Sequence, residues 1–390
     1  MSTAIVIGAG IGGLTAALAL AAKGWDVSVL ERAPALGPVG SCIILAPNAV
    51  NALATLPGGI AEELRGHQVT PAVGGMRNQA GRWLMRQNLA LIEQSFGAGL
   101  VPIRRPDLIG LLARRLPDGV LRVGAEVAGL DPDAASVTLT TGEALTADVL
   151  IAADGIGSAS RAIVAPGHAG PEFARVRCWL LIAAGDGLEA TPGEIWGVRR
   201  MFGMYPMADG SIYGFGEAID DRATEVSSGP AVRDEVARVY ADFPAPVPEL
   251  IAAALPQDVY RESLQLQRRA LPAFHRGRAV LLGDAAHAMS PNIGQGACQA
   301  IEDAVTLAHE LGVRPSVAAA LAAYTAVRRP RTRQVATIAL TMTRLSTAPN
   351  RAVAAVRDTV LSAVDRLGPR AAIRQARPLL GWRPPSVAAR

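Results

Sequence analysis

The sequence of 390 residues contains a single lysine, Lys23, against 37 arginines. Codon bias towards GC-rich codons accounts for most of this imbalance, because glycine and proline are abundant as well. The scarcity still has a chemical consequence, since any mechanism that requires a catalytic lysine has one candidate. Charged residues make up only 18% of the chain and half of it is hydrophobic, which is typical of a folded globular protein rather than a disordered one.

Cysteine is also scarce. Cys42, Cys178 and Cys298 lie far apart and match no zinc-ligand or CxxC spacing, so we expect no disulfide framework, no metal site and a reducing, cytoplasmic location. The net charge of +4 is too small and too dispersed to indicate nucleic-acid binding. The uncharged stretch 4–22 follows no basic segment and holds four glycines, which argues against a signal peptide or a membrane span. We therefore expect neither nucleic acid nor a membrane as a partner.

The first 30 residues predict a β-turn-α-β unit. A β-branched run at 4–7 predicts a buried parallel strand, and Gly8, Gly10 and Gly13 follow it in the spacing GxGxxG before a predicted helix and second strand. In this spacing the first glycine permits a tight turn and the second lets the backbone approach a pyrophosphate. The third allows close packing of helix on strand. The unit therefore predicts a dinucleotide site.

An acidic residue stands where the second strand ends. Glu31 lies 21 residues after Gly10, at the place where a carboxylate accepts hydrogen bonds from a ribose diol. An acid at this position favours NAD or FAD over NADP, and Arg32 beside it is a further candidate contact.

Two further motifs follow predicted strands. The segment 154–161 reads DGIGSASR, and the segment 283–296 reads GDAAHAMSPNIGQG and opens a long helix. Together with the first fingerprint, they resemble in order and spacing the three motifs of the single-component FAD-dependent aromatic hydroxylases, the family of para-hydroxybenzoate and salicylate hydroxylases. The resemblance covers about residues 1–345 and is weakest from 176 to 267.

The resemblance implies a cofactor and a reaction. FAD is the expected cofactor, and NADH or NADPH is the expected transient co-substrate. The implied reaction inserts one atom of O₂, through a C4a-hydroperoxyflavin, into a small aromatic, heteroaromatic or polycyclic substrate. In such a reaction the cofactor carries the chemistry, while the protein supplies positioning and a dry site.

The resemblance also assigns residues to the cofactor. Asp154 and Gly155 match the motif that lies near the pyrophosphate and is implicated in use of the nicotinamide cofactor. Arg105 resembles an arginine that contacts FAD, and Arg104 stands where a histidine is common, so the two arginines can exchange roles. Pro291 resembles the proline that lies over the flavin near the oxygen-reacting position, which makes it a candidate catalytic residue.

The third motif has a physical interpretation that agrees with the resemblance. Asp284, at the carboxyl end of a predicted strand, can bind ribityl hydroxyls. Gly294 and Gly296 remove side chains where a flat flavin ring lies against backbone, and Gln295 stands between them. The helix predicted over 296–311 would direct its N-terminal N–H groups at the flavin pyrimidine.

One segment departs from the family pattern. The stretch 40–49 resembles a segment near the mobile flavin ring that usually carries further glycines, but Cys42 and Ile44 occupy two of those places. Bulk there would either tighten the pocket or restrict movement of the flavin, and the sequence does not decide which.

The predicted fold is α/β, a Rossmann-like FAD-binding domain with an inserted α+β substrate domain built on a mainly antiparallel sheet. The boundaries that we expect are 1–70, 100–175 and 268–345 for the FAD-binding domain, 71–99 and 176–267 for the substrate domain, and 346–390 for a C-terminal helical tail.

The substrate side is harder to interpret. Six of the 16 aromatic residues lie within 176–217, as either a sandwich core or a pocket wall. Tyr213 or Tyr205 is a candidate base for a phenolic substrate. Arg199 or Arg200 could hold a substrate carboxylate, and strand alternation puts only one of them inward. Tyr213 and Arg200 are accordingly the candidate catalytic side chains.

Other functions remain open. Epoxidation or Baeyer–Villiger oxidation of a natural-product intermediate would use the same oxygen chemistry, and a redox-dead flavin-binding scaffold would keep the same motifs. A tryptophan-type halogenase is disfavoured because Lys23 lies in the first predicted helix and a WxWxIP segment is missing. An NAD-dependent dehydrogenase would leave the second and third motifs without a role. Substrate identity and the choice between monomer and homodimer are not readable.

Overall fold

The structure, a computed structural model, describes residues 1–37, 42–68 and 73–385. The strands, in chain order, are β1 (Thr3–Ile7), β2 (Asp26–Glu31), β3 (Cys42–Leu45), β4 (Val73–Asn78), β5 (Trp83–Asn88), β6 (Val101–Arg104), β7 (Leu121–Val123), β8 (Val127–Asp131), β9 (Ser136–Leu139), β10 (Ala144–Thr146), β11 (Val149–Ala152), β12 (Glu172–Ala184), β13 (Gly193–Trp196), β14 (Arg200–Pro206), β15 (Ser211–Ile219), β16 (Ser227–Ser228), β17 (Ala254–Leu266), β18 (His275–Arg276) and β19 (Ala279–Leu281). The helices are α1 (Ile11–Ala21), α2 (Pro47–Leu53), α3 (Ile60–Arg65), α4 (Leu89–Phe96), α5 (Arg105–Ala113), α6 (Ser160–Val164), α7 (Pro230–Val239), α8 (Val247–Ala253), α9 (Asp284–His287), α10 (Gly296–Val313), α11 (Val317–Ser346), α12 (Arg351–Asp365) and α13 (Pro369–Leu380), with a 3₁₀ turn at Pro291–Ile293.

The first large sheet has six strands in the order β18-β19-β11-β1-β2-β7. Strands β19, β11, β1, β2 and β7 run parallel, and only the edge strand β18 is antiparallel. Because the carboxyl ends of parallel strands meet at one edge, the segments after β1, β11 and β19 lie side by side. Those segments are the three sequence motifs, and the Rossmann-like arrangement that they predicted is confirmed.

The second large sheet has eight strands in the order β16-β17-β12-β15-β14-β13-β4-β5. All of its neighbouring strands are antiparallel except β13 and β4. Helices α7 and α8 cover one face, where Trp179, Phe202 and Tyr240 share a buried core. The sheet joins 73–88 to 172–266, the two pieces expected in a substrate domain, although the domain boundaries themselves stay a prediction.

Residue composition predicts one strand over 194–204, a helical stretch punctuated by prolines at 229–255, and two helical runs at 316–329 and 331–345. The second of these matches the structure, which has two short helices, α7 and α8, separated by prolines. The strand expected over 194–204 is two strands, because the chain turns between Trp196 and Arg200 with Arg199 in a left-handed conformation at φ 60°. The expected break at Pro330 is wrong as well, because α11 runs unbroken through it. A proline removes one helical hydrogen bond, and the buried contacts of neighbouring Arg328 hold this helix in place.

Helices α12 and α13 form the C-terminal tail and pack against strand β5 and helix α4. Within the described ranges, no helix is both long enough and apolar enough to cross a membrane.

Candidate cofactor and substrate site

The glycine loop after β1 has the geometry that a dinucleotide requires. Gly8 adopts φ 100°, and a side chain on Gly13 would lie 2.0 Å from the Gly8 carbonyl oxygen, so both positions exclude larger residues. A Cβ on Gly10 would meet no protein atom within 4 Å. The second glycine therefore faces open space beside the N-terminus of α1, where backbone N–H groups favour an anion such as a diphosphate.

Glu31 fixes this loop from the end of β2. Its Oε2 accepts a hydrogen bond from the Ala9 N–H at 2.8 Å, and its Oε1 accepts one from the Ala33 N–H at 2.9 Å. Each carboxylate oxygen has two lone pairs, so both keep capacity for ribose hydroxyls. Arg32 lies exposed next to it.

Asp154 carries a buried atom that lacks a partner. Its Oδ2 accepts a hydrogen bond from the Ser160 N–H at 3.1 Å, whereas its Oδ1 is buried and has no partner among the described residues. Buried polar atoms are normally hydrogen-bonded, so this oxygen indicates a donor that a bound molecule would supply. Gly155 beside it adopts φ 76° and faces open space.

Arg161 joins the second motif to the third. Its Nε donates to the Ala285 carbonyl at 2.8 Å, and its Nη2 donates to the carbonyl of Asp284 at 2.9 Å. The second motif contains this arginine, but the sequence did not reveal that its hydrogen bonds hold the second and third motifs together. The Asp284 side chain lies exposed at the end of β19, available to a ligand.

The two adjacent arginines on β6 and α5 have separate contacts. Arg104 pairs with Asp209 at 3.0 Å and donates to the Ser211 hydroxyl. Arg105, the first residue of α5, is exposed, and no described carboxylate lies within ion-pair distance of it. Arg105 is therefore the arginine available to a cofactor.

The loop 283–296 ends in a turn that leaves a flat space open. Pro291 starts the 3₁₀ turn, Gly294 adopts φ 61°, and α10 begins at Gly296. A Cβ on Gly296 would meet nothing within 4 Å, and one on Gly294 would meet only the Ile44 carbonyl, at 3.7 Å. The Gln295 side chain does not point into this space, because it is buried and accepts a hydrogen bond from Asn48 at 3.0 Å. Only the backbone of Gln295 can serve a cofactor.

These observations fit FAD. Three features lie along one edge of the sheet. They are the open space beside Gly10, the unpartnered oxygen of Asp154, and the open space at Gly294 and Gly296. The part of the chain that the structure describes holds no cluster of three metal-ligating side chains.

A buried ionic network lies behind the loop 283–296, and the sequence analysis missed it. Asp303 on α10 accepts from the Gly283 N–H at 2.9 Å, from His287 Nε2 at 2.5 Å and from Arg328 Nε at 2.6 Å. Burial alone would raise the pKa of Asp303, but His287 and Arg328 hold it below its usual value. Neighbouring Glu302 pairs with Arg328 as well. Two adjacent acids inside an otherwise apolar helix were the signal available.

The other face of the eight-stranded sheet, turned towards this loop, is lined with aromatic rings. Tyr213 and Tyr205 both stack on Phe215, with centroid distances of 5.6 and 6.3 Å. Tyr213 also packs with Cys42 and Met207. Burial raises the pKa of Tyr213 well above its ordinary value, so its hydroxyl stays protonated and can donate a hydrogen bond. As a base, Tyr213 is poorly suited.

Three carboxyl groups lie on the same face, those of Glu217, Glu194 and Glu262. Glu217 is 1% exposed, its Oε2 accepts from Asn292 Nδ2 at 2.6 Å, and its Oε1 has no partner in the described chain. Burial raises the pKa of Glu217 to about 7, and burial raises that of Glu194, which accepts from the Trp196 indole, to about 8. Sequence reasoning missed Glu217 and Glu194, although an acid at an inward position of an apolar strand was visible.

Arg200 lies on the opposite face of the sheet. Its guanidinium pairs with Asp242 at 2.6 Å and lies 5.3 Å from the Phe243 ring, on the side covered by α7. Arg199 is exposed in the turn before β14. The structure therefore brings neither arginine to the face that carries Tyr213.

Cys42 and Ile44 lie between this face and the loop. Cys42 is buried, and burial raises the pKa of its thiol to about 12, so the thiol stays protonated. The Ile44 carbonyl borders Gly294. Gly40, which begins the departing segment, lies outside the described residues.

Comparisons with known proteins agree with this site. Residues 6–49 match the family model of an NAD(P)-binding Rossmann-like domain, and residues 249–339 match that of an FAD-binding domain. The first match contains the glycine loop and Glu31, and the second contains the loop 283–296.

Whole-chain relatives are similarly informative. The chain is 35% identical to an aurachin C monooxygenase/isomerase of Stigmatella aurantiaca, over 84% of this chain and 85% of the relative. It is 34% identical to an FAD-dependent urate hydroxylase of Klebsiella pneumoniae, over 85% and 87%. The crystal structure of Klebsiella pneumoniae HpxO complexed with FAD and uric acid superposes with a TM-score of 0.84 at 28% identity, and the match covers 93% of each chain.

Proposed function

This chain belongs to the FAD-dependent aromatic hydroxylases, which are flavoprotein monooxygenases, and from that premise we propose that it hydroxylates a flat heteroaromatic ring that carries no carboxylate. Its co-substrates are NAD(P)H and O₂. The observation that carries the proposal is the chemistry of the sheet face that bears Glu217. Because directly paired residues share a face, the register also defines the neighbours of Glu217. None on β12 to β15 and β17 is Arg, Lys or His; they are Cys178, Leu180, Ile182, Glu194, Trp196, Met201, Gly203, Tyr205, Tyr213, Phe215, Tyr260 and Glu262.

A substrate carboxylate would be poorly stabilised here. It would meet no positive side chain on these strands of the face, and the nearby carboxyl groups repel it whenever they ionise. A ring with carbonyl and N–H groups fits better, since a protonated carboxyl donates a hydrogen bond and an ionised one accepts it. The urate hydroxylase relative acts on a ring of that kind.

FAD, when bound, supplies transfer of electrons from NAD(P)H and reaction with O₂. Glu31 and Asp154 would hold its ribose and diphosphate, and Asp284 and Arg105 would hold the ribityl chain and phosphate. The backbone from Pro291 to Gly296 would border the ring.

Glu217 contacts this loop through Asn292. Its pKa of about 7 lets it take up or release a proton near neutral pH, and its unpartnered Oε1 has a lone pair available. Tyr213, kept protonated by burial, would orient a ring oxygen by donating a hydrogen bond.

The test uses the purified holoenzyme, whose absorbance spectrum reports bound flavin. NAD(P)H oxidation and product mass are measured with matched ring compounds, urate and 4-quinolones against salicylate and 3-hydroxybenzoate. We expect coupled oxidation and a product that is heavier by one oxygen atom with the heteroaromatic rings that carry no carboxylate. Coupled turnover of the carboxylates, with none of the heteroaromatic rings, would contradict the proposal.

A second candidate reaction is oxygen insertion followed by rearrangement, through epoxidation or Baeyer–Villiger chemistry. The aurachin C relative is named as both a monooxygenase and an isomerase, which supports this second candidate. NMR of the same product distinguishes a phenol from an epoxide or an ester. A protein that retains FAD but never oxidises NAD(P)H with O₂ would instead be a redox-dead scaffold.

Location and assembly are part of the proposal as well. The three cysteines are free and buried, which supports a reducing, cytoplasmic setting. A monomer or a homodimer remains our expectation.

A further inference from the structure

Positive charge is concentrated at one end of the chain. The tail 346–390 contains eight arginines, two aspartates and no other charged residue, so its net charge is +6, whereas the whole chain carries +4. The first 345 residues are therefore slightly acidic. Such an asymmetry indicates a surface that meets an anionic partner.

The outward side of α12 is apolar. Val353, Val356, Val360 and Leu367 are 44, 66, 55 and 67% exposed, and Ala363 is exposed among them. These positions are three or four residues apart, so they form one stripe along the helix. A surface helix normally turns such a stripe towards the core, whereas α12 already has a separate inward side.

The acids of the tail face inward. Asp358 accepts hydrogen bonds from Arg357 and from Asn78, and Asp365 accepts from the backbone and side chain of Arg86. The exposed arginines of the tail are not neutralised by either aspartate; among the described residues they are Arg351, Arg366, Arg370, Arg374, Arg377 and Arg383. The outer surface of α12 and α13 is therefore apolar and cationic.

An outer surface that is both apolar and cationic favours some binding partners over others. A second copy of the chain would bring Arg351 and Arg366 of two tails together with no acid between them, which is unfavourable in either orientation of the helices. Anionic lipid headgroups supply the missing charge, and the valine stripe can enter the headgroup boundary. We propose that α12 and α13 form a docking surface for an anionic lipid bilayer. This departs from the sequence-based expectation of no membrane partner, which considered only spanning segments.

The inward side of α12, opposite the docking surface, packs against the sheet that bears the candidate substrate face. Ser362 Oγ donates to the Trp83 carbonyl of β5, and Leu361 packs with Trp196 and Met201, which share a face with Glu217. A bilayer bound to α12 would thus adjoin the substrate region and suit an apolar substrate that partitions into lipid. This last step rests on the proposed function, whereas the docking itself does not.

Co-sedimentation of the FAD-loaded full chain with vesicles tests the proposal. We expect binding to phosphatidylcholine vesicles that contain phosphatidylglycerol, little binding to phosphatidylcholine alone, and release as salt is raised. The triple variant Arg366→Gln/Arg370→Gln/Arg374→Gln should lose about 100-fold in affinity, at roughly fivefold for each charge. Val356→Glu/Val360→Glu should lose binding while retaining flavin, because both side chains are exposed.

Val226→Glu is the matched control, because Val226 is 72% exposed and lies far along the chain from the tail. It should bind vesicles as the wild type does. Equal binding to neutral vesicles, equal loss with Val226→Glu, or no binding at all would overturn the proposal. So would a dimer, measured by light scattering, that Val356→Glu/Val360→Glu converts to a monomer. Flavin content and NAD(P)H oxidation, measured in parallel, report separately on the proposed function.

Discussion

Two pairs of acidic residues near the loop 283–296 have opposite surroundings. Glu302 and Asp303 on α10 are fully buried and meet the guanidinium of Arg328. Glu217 on β15 is equally buried, and Glu194 on β13 is partly buried, but they accept hydrogen bonds only from the neutral groups of Asn292 and Trp196. Burial disfavours the charged form in both regions, so the partner decides the outcome.

The difference separates acids that support the fold, on α10, from acids that suit a reacting site, on the sheet. Around α10 the cations offset the cost of burial, and Asp303 holds the loop through the Gly283 N–H and His287. On the sheet no cation offsets that cost, so the pKa values of Glu217 and Glu194 rise to about 7 and 8. Groups that change protonation near neutral pH suit a reacting site, and permanently paired ones suit a support.

Removing the cation of Arg328 should disrupt the network around α10 and should give the largest loss of stability among these variants. Arg328→Met removes the buried cation that Glu302 and Asp303 share and leaves Glu302 with Arg331 alone, so we expect the free energy of unfolding to fall by about 3–5 kcal/mol. Because Asp303 fixes the loop 283–296, bound FAD should be lost as well. Urea unfolding of the flavin-loaded protein and flavin absorbance after gel filtration measure the two effects.

A surface ion pair provides the control for this variant. Arg314 pairs with Glu310, and the Arg314 side chain is 48% exposed. Arg314→Gln should cost less than about 1 kcal/mol and leave the flavin bound. If Arg328→Met costs no more than this control, the network is not the support that the structure indicates.

Glu217→Gln tests the second region through pH. The pKa of Glu217 rises from 4.5 to about 7 on folding, so the folded state binds the extra proton between these values. Stability therefore falls as pH rises from about 4.5 to 7, by roughly 3 kcal/mol for this group, and is level above that range. The glutamine variant should lack this fall and exceed the wild type in stability at pH 8. Unfolding midpoints measured from pH 5 to pH 8 give the comparison.

Glu143→Gln is the matched variant, because Glu143 is exposed and pairs with Arg122 at the surface. Its stability should follow the wild-type pH dependence through the same range. A Glu217→Gln profile that runs parallel to the wild type would show that Glu217 is ionised in the fold.

The sequence predicted neither pair of acids, although it did predict the glycine loop after β1. The glycine spacing could be predicted because a phosphate imposes strict local geometry on a short segment. Glu217 could not, because its environment arises from strands far apart in sequence and from Asn292, 75 residues away. Arg200 was misleading for the same reason, since alternation leaves the choice of face to tertiary packing.

Some elements of the fold could be predicted from the sequence and others could not. The parallel strands were predictable from their β-branched runs, which are buried on both faces. The break between β13 and β14 depends on the left-handed conformation of Arg199, which nothing in its residue type favours. The continuity of α11 through Pro330 depends on Arg328 meeting acids on another helix. Local signals carry no information on such contacts.

The smallest effect should come from the outer cation of the α10 network. Arg331 pairs with Glu302 at 2.9 Å, but its side chain is 14% exposed and Glu302 keeps Arg328. Arg331→Gln should therefore cost about 1 kcal/mol and leave FAD bound. Combined with Arg328→Met, however, it leaves Glu302 with no cation, so the double variant should lose more stability than the sum of the two. An additive double variant would mean that Glu302 gains no added stabilisation from Arg331 when Arg328 is missing, and the contrast between the two pairs of acids would then reduce to Asp303 alone.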